Sequence, residues 1–187
     1  SNAQDRGRCV PPCFSHDGAE TLTMRWTWID RFLRLEPGRR AIAVKNLSWA
    51  EDYFADHFPG YPVMPASLIL EGLAQTGGIL VGHAHNFQKN VVLAKITAHF
   101  QREAHPGEQL TYQAELLDLS EAGARVRGTA HSGQELIAEA DIMFAHVGRE
   151  QLPPELDDPQ FVFRGELAHL LRRAESAIPS PPSGTSS

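Results

Sequence analysis

The sequence predicts an α+β domain, with one antiparallel sheet packed on one long buried helix. Three observations point there. The stretch from about Pro65 to about His85 is apolar almost all round, and a helix of that kind is buried rather than lying on a surface. Around it lie six shorter stretches whose apolar residues read as strands, two before it and four after. The separators between strands are short and carry turn residues, which makes successive strands antiparallel neighbours.

The elements follow in order. Residues 1–23 are polar, hold no repeating apolar pattern, and read as a flexible leader. The opening Ser-Asn-Ala resembles an expression remnant, and Met24 is a candidate natural start. Val10 to Phe14 is too short and too proline-broken for a signal peptide, so a cytoplasmic location is expected. The domain occupies 24–147. Its first strand starts at Arg25 and alternates through Trp26, Trp28 and Phe32, then changes phase to Leu33 and Leu35. The turn Glu36-Pro37-Gly38 ends it, and Ala41 to Leu47 pairs as the second strand. Ser48-Trp49-Ala50-Glu51 fits a capping box for a short helical turn. The long helix carries Gly72, Gly77, Gly78 and Gly82. Each costs about 1 kcal/mol against alanine. They make sense where a sheet wraps closely around the helix. Four strands follow: Val91–Ala104, Gln109–Leu119, Ala124–His131 and Glu135–His146. Residues 148–163 form a polar linker. Residues 164–178 place Leu167, Leu170, Leu171, Ala174 and Ile178 at helical spacing, an amphipathic helix that docks on the domain or on a neighbouring subunit. Residues 179–187 are expected to be disordered.

Composition bounds the function. The chain has 187 residues and a 42% hydrophobic content, enough for a sizeable core. No apolar run approaches the roughly 20 residues that span a bilayer. The net charge is −6, split unevenly: residues 1–47 hold eight Lys/Arg against five Asp/Glu, and the remainder nine against eighteen. That argues against a nucleic-acid binder. It leaves room for a local basic patch at Arg31, Arg34, Arg39 and Arg40, or for a solvated strand face. The two cysteines, Cys9 and Cys13, stand near His16 in the leader. A metal site normally needs four convergent ligands, so incidental thiols are the better reading.

The chemistry concentrates in His57–Gln75, H-F-P-G-Y-P-V-M-P-A-S-L-I-L-E-G-L-A-Q. Pro59, Pro62 and Pro65 force a stiff loop in its first half. The second half is the start of the apolar helix and carries Glu71. An imidazole titrates near neutrality, and burial can push a carboxyl there. Together they form a plausible acid/base pair. His83 and His85 lie two apart on the helix and share no face. A favourable interaction with the helix C-terminus is a better reading for them than metal binding. His99, His105, His131 and His146 read as strand or turn residues.

This stretch closely resembles the signature of the 3-hydroxyacyl-(acyl carrier protein) dehydratases of type II fatty-acid synthesis, which have the hotdog fold, a sheet wrapped around a central helix. The motif is specific: a histidine, Phe-Pro-Gly, Pro-Val-Met-Pro, an acid fourteen residues after the histidine, and Ala-Gln. The resemblance runs from about Trp28 to Val147. It is echoed in Ile29-Asp30-Arg31, Ala43-Val44-Lys45-Asn46, Leu93-Ala94-Lys95-Ile96 and Pro106-Gly107-Glu108. It implies that His57 takes the C2 proton of the acyl chain and that Glu71 helps the C3 hydroxyl leave as water. It implies that the Ala66 N–H holds the thioester carbonyl, that the Val63 carbonyl orients the histidine, and that Gln75 supports the site. It implies a homodimer or higher homo-oligomer with each site shared between opposite subunits. The partner would be an acyl carrier protein, with no metal or redox cofactor.

Two positions depart from the pattern. The family usually has glycine where Ala66 stands, so a positive φ there would carry strain, whereas a helical φ would make alanine harmless. Phe100-Gln101-Arg102-Glu103-Ala104 is less basic than the family's corresponding segment, which would weaken docking of an acidic carrier or signal a different thioester. Glu at 71, rather than Asp, resembles the branch that does not isomerise the double bond. Three functions stand: the dehydratase, a hotdog thioesterase using the acid to activate water, and a non-catalytic acyl-binding protein. Pro-Val-Met-Pro with both His57 and Glu71 argues against the thioesterase.

Overall fold

The structure, a computed structural model, describes residues 27–148 together with Leu170 and Arg173. Across residues 27–148 eight elements run in chain order: β1 (Arg31–Glu36), β2 (Arg40–Asn46), α1 (Tyr53–Asp56), α2 (Ala66–Ala84), β3 (Asn90–Phe100), β4 (Gln109–Leu119), β5 (Gly123–Ser132) and β6 (Glu135–Val147). The six strands form one antiparallel sheet in the order β1-β2-β4-β5-β6-β3. The sheet wraps α2, which touches β2 through β6. This is the hotdog fold. The leader 1–23, the tail 179–187 and all of the linker but Gly148 lie outside the described residues. Of the helix expected at 164–178, only Leu170 and Arg173 are described. Both are helical, and Leu170 is buried in the core.

The core sits between α2 and the inner face of the sheet. Leu73, Leu80 and Val81 of the helix meet Leu110, Tyr112, Val126 and Ile142 of the strands, all fully buried. Two helix glycines set how closely the layers approach. A Cβ on Gly72 would lie 2.5 Å from the buried Tyr112 ring, and one on Gly77 would lie 3.1 Å from the Phe144 ring. We predict that Gly72→Ala lowers unfolding stability by roughly 2–3 kcal/mol, because a fully buried ring must move. A denaturant midpoint unchanged from wild type would show that the layers can part at no cost.

Several boundaries differ from the sequence reading, each for a physical reason. β1 begins at Arg31, and residues 27–30, the described part of the expected strand ahead of it, are not strand. The backbone of Trp28 instead donates to the Gln75 side chain on α2 (2.8 Å). The phase change in β1 is a register shift between Phe32 and Arg34. It keeps Phe32 and Leu35 inside and leaves Leu33 half exposed. Ser48 does not cap α1: its hydroxyl accepts from the Ala50 N–H (3.2 Å) and the helix starts after Asp52. Glu51, expected to close a capping box, accepts from Lys45 Nζ at 2.6 Å. Pro65 precedes α2 as its N-cap, with ψ 131°. β3 ends at Phe100, four residues before the expected Ala104.

The largest correction concerns neighbours. β3 and β4 are joined by a short connection, yet β3 pairs with β6 and β4 with β2 and β5. Residues 101–108 therefore cross one end of the sheet instead of forming a hairpin. That crossing brings them beside the loop that carries His57.

Candidate active site

His57 is the C-cap of α1, where its N–H donates to Tyr53 O (2.9 Å) and the buried Phe54 anchors the short helix. The loop beyond closes on itself. Phe58 and Tyr61 exchange both backbone hydrogen bonds (3.1 and 2.9 Å), with Pro59 and Gly60 (φ +80°) at the turn. A positive φ is what glycine supplies at that position of the turn. The Val63 N–H then returns to His57 O (2.9 Å). The imidazole sits over the loop, stacked on Phe58 with ring centres 4.1 Å apart.

Val63 is buried, and its carbonyl lies 3.1 Å from His57 Nδ1. A carbonyl only accepts, so Nδ1 carries the hydrogen and Nε2 presents a lone pair. Ala66 is the first residue of α2 and is exposed. It does not have a positive φ, so alanine is unstrained where the family usually has glycine. The backbone amides that open a helix have no partner within it and carry the positive end of its dipole. Leu68 and Ile69 donate to Pro65 O, leaving the Ala66 N–H at the tip.

Glu71 lies one turn further on, half-buried, and accepts from Gln75 Nε2 at 2.9 Å. Gln75 is buried, and its Oε1 accepts from the Trp28 N–H. A backbone amide thus fixes the orientation of the glutamine amide, which in turn holds one carboxylate oxygen of Glu71. The i,i+4 spacing made the Gln75–Glu71 contact readable. The Trp28 contact, 47 residues away, left no signal in the sequence. Among the described residues His57 and Glu71 share no hydrogen bond.

The motif echoes also come together. Asp30 accepts from Asn46 N (2.7 Å), Asn46 Nδ2 (2.9 Å) and Lys45 Nζ (3.4 Å). The nearly buried Lys45 ties this group to Glu51, just ahead of α1. Glu108 organises the 101–108 crossing. It accepts from Arg102 Nη2 (2.8 Å), the His105 N–H (2.6 Å) and Ser132 Oγ (2.8 Å). Burial alone would raise its pKa. The Arg102, His105 and Ser132 hydrogen bonds and the Arg102 charge outweigh burial and hold it at about 2. Because the folded value is depressed, the stabilisation is complete above the ordinary carboxylate range. It is lost as pH falls from about 4.3 toward 2. Over that window wild type should lose about 2 kcal/mol more unfolding stability than Glu108→Gln, measured by urea titration at each pH. Equal losses would contradict the depressed value.

Arg102 also pairs with Glu135 (2.8 Å), so its charge is held within the chain. Arg34, Arg39 and Arg40 all reach the carboxylate of Glu36, which partly neutralises the basic patch for which the charge balance left room. His85 is the C-cap of α2. Burial first, then His146 and Lys89, push it below the ordinary imidazole value and disfavour the cation.

Comparison with known proteins places these features in a family. The FabA-like domain model matches residues 23–141. The chain belongs to the FabA-like family. The chain is 47% identical over 119 residues to the 3-hydroxyacyl-(acyl carrier protein) dehydratase FabZ of Pelotomaculum thermopropionicum, covering 63% of this chain and 85% of that protein. It is 45% identical over 121 residues to the FabZ of Symbiobacterium thermophilum, covering 64% and 85%. Among solved structures, a conserved protein of Pseudomonas aeruginosa superposes with TM-score 0.54 at 18% identity, over 63% of this chain and 87% of that one. The PaaI protein of E. coli gives 0.53 at 13% identity, over 63% and 78%. Those two likenesses show the fold alone. Among the described residues of this FabA-like chain, no helix is long and apolar enough to cross a membrane.

Proposed function

We propose that this FabA-like chain is a dehydratase. It would eliminate water from (3R)-hydroxyacyl thioesters on acyl carrier protein to give trans-2-enoyl thioesters, in fatty-acid or related lipid biosynthesis. The observation that carries the reading is the seating of His57. With Nδ1–H on Val63 O, the Nε2 lone pair can accept a proton, and three residues after Val63 the start of α2 offers an N–H. Relatives up to 47% identical that carry the dehydratase name support the same chemistry.

The steps follow from the residues. The Ala66 N–H donates to the thioester carbonyl oxygen and stabilises negative charge as it develops there. His57 Nε2 takes the C2 proton. The C3–O bond breaks, the electron pair of the C2–H bond forms the double bond, and protonated Glu71 gives its proton to the departing hydroxyl. Water and the conjugated enoyl thioester leave. Gln75 positions the Glu71 carboxyl through the Nε2 hydrogen bond.

A homodimer is part of the proposal, with His57 and Glu71 of each site from opposite subunits. The outer edge of β3, unpaired among the described residues, supports it. That strand is eleven residues long and leaves Val92, Leu93 and Phe100 exposed, an edge that invites pairing. A cytoplasmic location belongs to the same reading. The test is enoyl thioester formation from (3R)-hydroxyacyl carrier substrates of several chain lengths, with free-thiol release followed in parallel. Enoyl product supports the dehydratase. Thiol release without it means a thioesterase, and binding without either means an acyl-binding protein.

A further inference from the structure

Two successive peptide groups lie between the His57 loop and the 101–108 crossing, and each is pinned from both sides. The Pro62–Val63 group donates its N–H to His57 O (2.9 Å) and accepts His105 Nδ1 at Pro62 O (3.1 Å). The Val63–Met64 group accepts His57 Nδ1 at Val63 O (3.1 Å) and donates its N–H to Ala104 O (2.8 Å). The carbonyl that orients the His57 ring is therefore aimed by Ala104 and His105, 41 residues or more along the chain.

His105 is itself held. Its backbone N–H donates to Glu108, which fixes the base of the ring at the turn. The Tyr61 ring packs edge-on against it, with centres 5.6 Å apart. The Tyr61 hydroxyl donates to Glu103 Oε2 (2.8 Å), and His105 Nε2 stands 4.0 Å from the same oxygen. The Glu103 hydrogen bond holds the Tyr61 hydroxyl above its ordinary pKa, so it remains a donor. Pro62 O can only accept, so His105 must carry its hydrogen on Nδ1.

We propose that His105 is a positioning residue for His57, acting through the Pro62–Val63 and Val63–Met64 peptide groups to fix the His57 ring with Nδ1 protonated. This rests on the reading of His57 as the proton acceptor. Loss of the His105 hydrogen bond frees Pro62 O and loosens the plane of the next carbonyl. His57 then populates the wrong tautomer and orientation, while substrate contacts elsewhere are untouched.

The experiment compares wild type, His105→Leu and His105→Asn, each labelled with nitrogen-15 histidine, with His57 assigned by its loss in His57→Ala. In wild type, both His57 and His105 should show the Nδ1–H tautomer. In His105→Leu, His57 should become a tautomer mixture. In that variant kcat should fall about tenfold, with KM within about twofold. His105→Asn places an amide donor near the lost Nδ1 and should restore kcat to within about threefold of wild type. Unchanged His57 nitrogens in a folded His105→Leu protein would overturn the proposal. So would an Nε2–H tautomer of His105 in wild type, a result that needs no variant. If wild type forms no enoyl product, the dehydratase reading fails, and the nitrogen spectra still decide whether His105 positions His57.

Discussion

His57→Ala and Glu71→Gln should each lower the rate of enoyl thioester formation by about 10³-fold or more, with the fold intact. The magnitude follows from removing one proton-transfer group, which is typically worth 10²–10⁴-fold. The fold should survive because neither side chain builds it. Removing the imidazole deletes the Nδ1 bond to Val63 O and the stack on Phe58. The backbone bonds from His57 N to Tyr53 O and from Val63 N to His57 O remain. Glutamine at 71 keeps an oxygen that accepts from Gln75 Nε2, so only the transferable proton is lost. Steady-state rates with circular dichroism on the same samples check this. A variant retaining a tenth of wild-type turnover would remove that residue from the chemistry.

The second large effect is a restoration. When His57→Ala and Glu71→Gln chains are co-expressed with different tags, the purified heterodimer should regain about half of wild-type turnover. In a shared site one of the two positions receives His57 from one chain and Glu71 from the other and is whole. The opposite position receives neither. The gain over either mutant homodimer is about 500-fold or more. If both residues of a site came from one chain, no position in the heterodimer would be whole and activity would stay at background. The separation of His57 and Glu71 into two unconnected hydrogen-bond groups within the chain makes this the informative experiment.

The reach of the sequence differed between fold and site. Three prolines in seven residues, followed by an apolar run, were enough to place the loop, the start of α2 near Pro65 and the two candidate groups. Sterics and the helical period act over a few residues, so they leave a readable trace. Alternation located β4 at Gln109–Leu119 as expected and β6 to within a residue. The Gln75–Glu71 hydrogen bond was within reach for the same reason, since four residues make one turn.

What the sequence by itself determined was thus local: the elements, the motif, the residue types fit to move protons. The tertiary structure alone decided that β3 lies beyond β6 rather than beside β4. It also decided that Trp28 anchors Gln75 and that Ala104 and His105 aim the carbonyl beneath His57. These contacts join residues 40 or more positions apart. Their geometry depends on how the sheet closes around α2, and that closure is set by the packing of side chains from every strand at once. No window of the chain contains that information, because each contact exists only after all the others have formed.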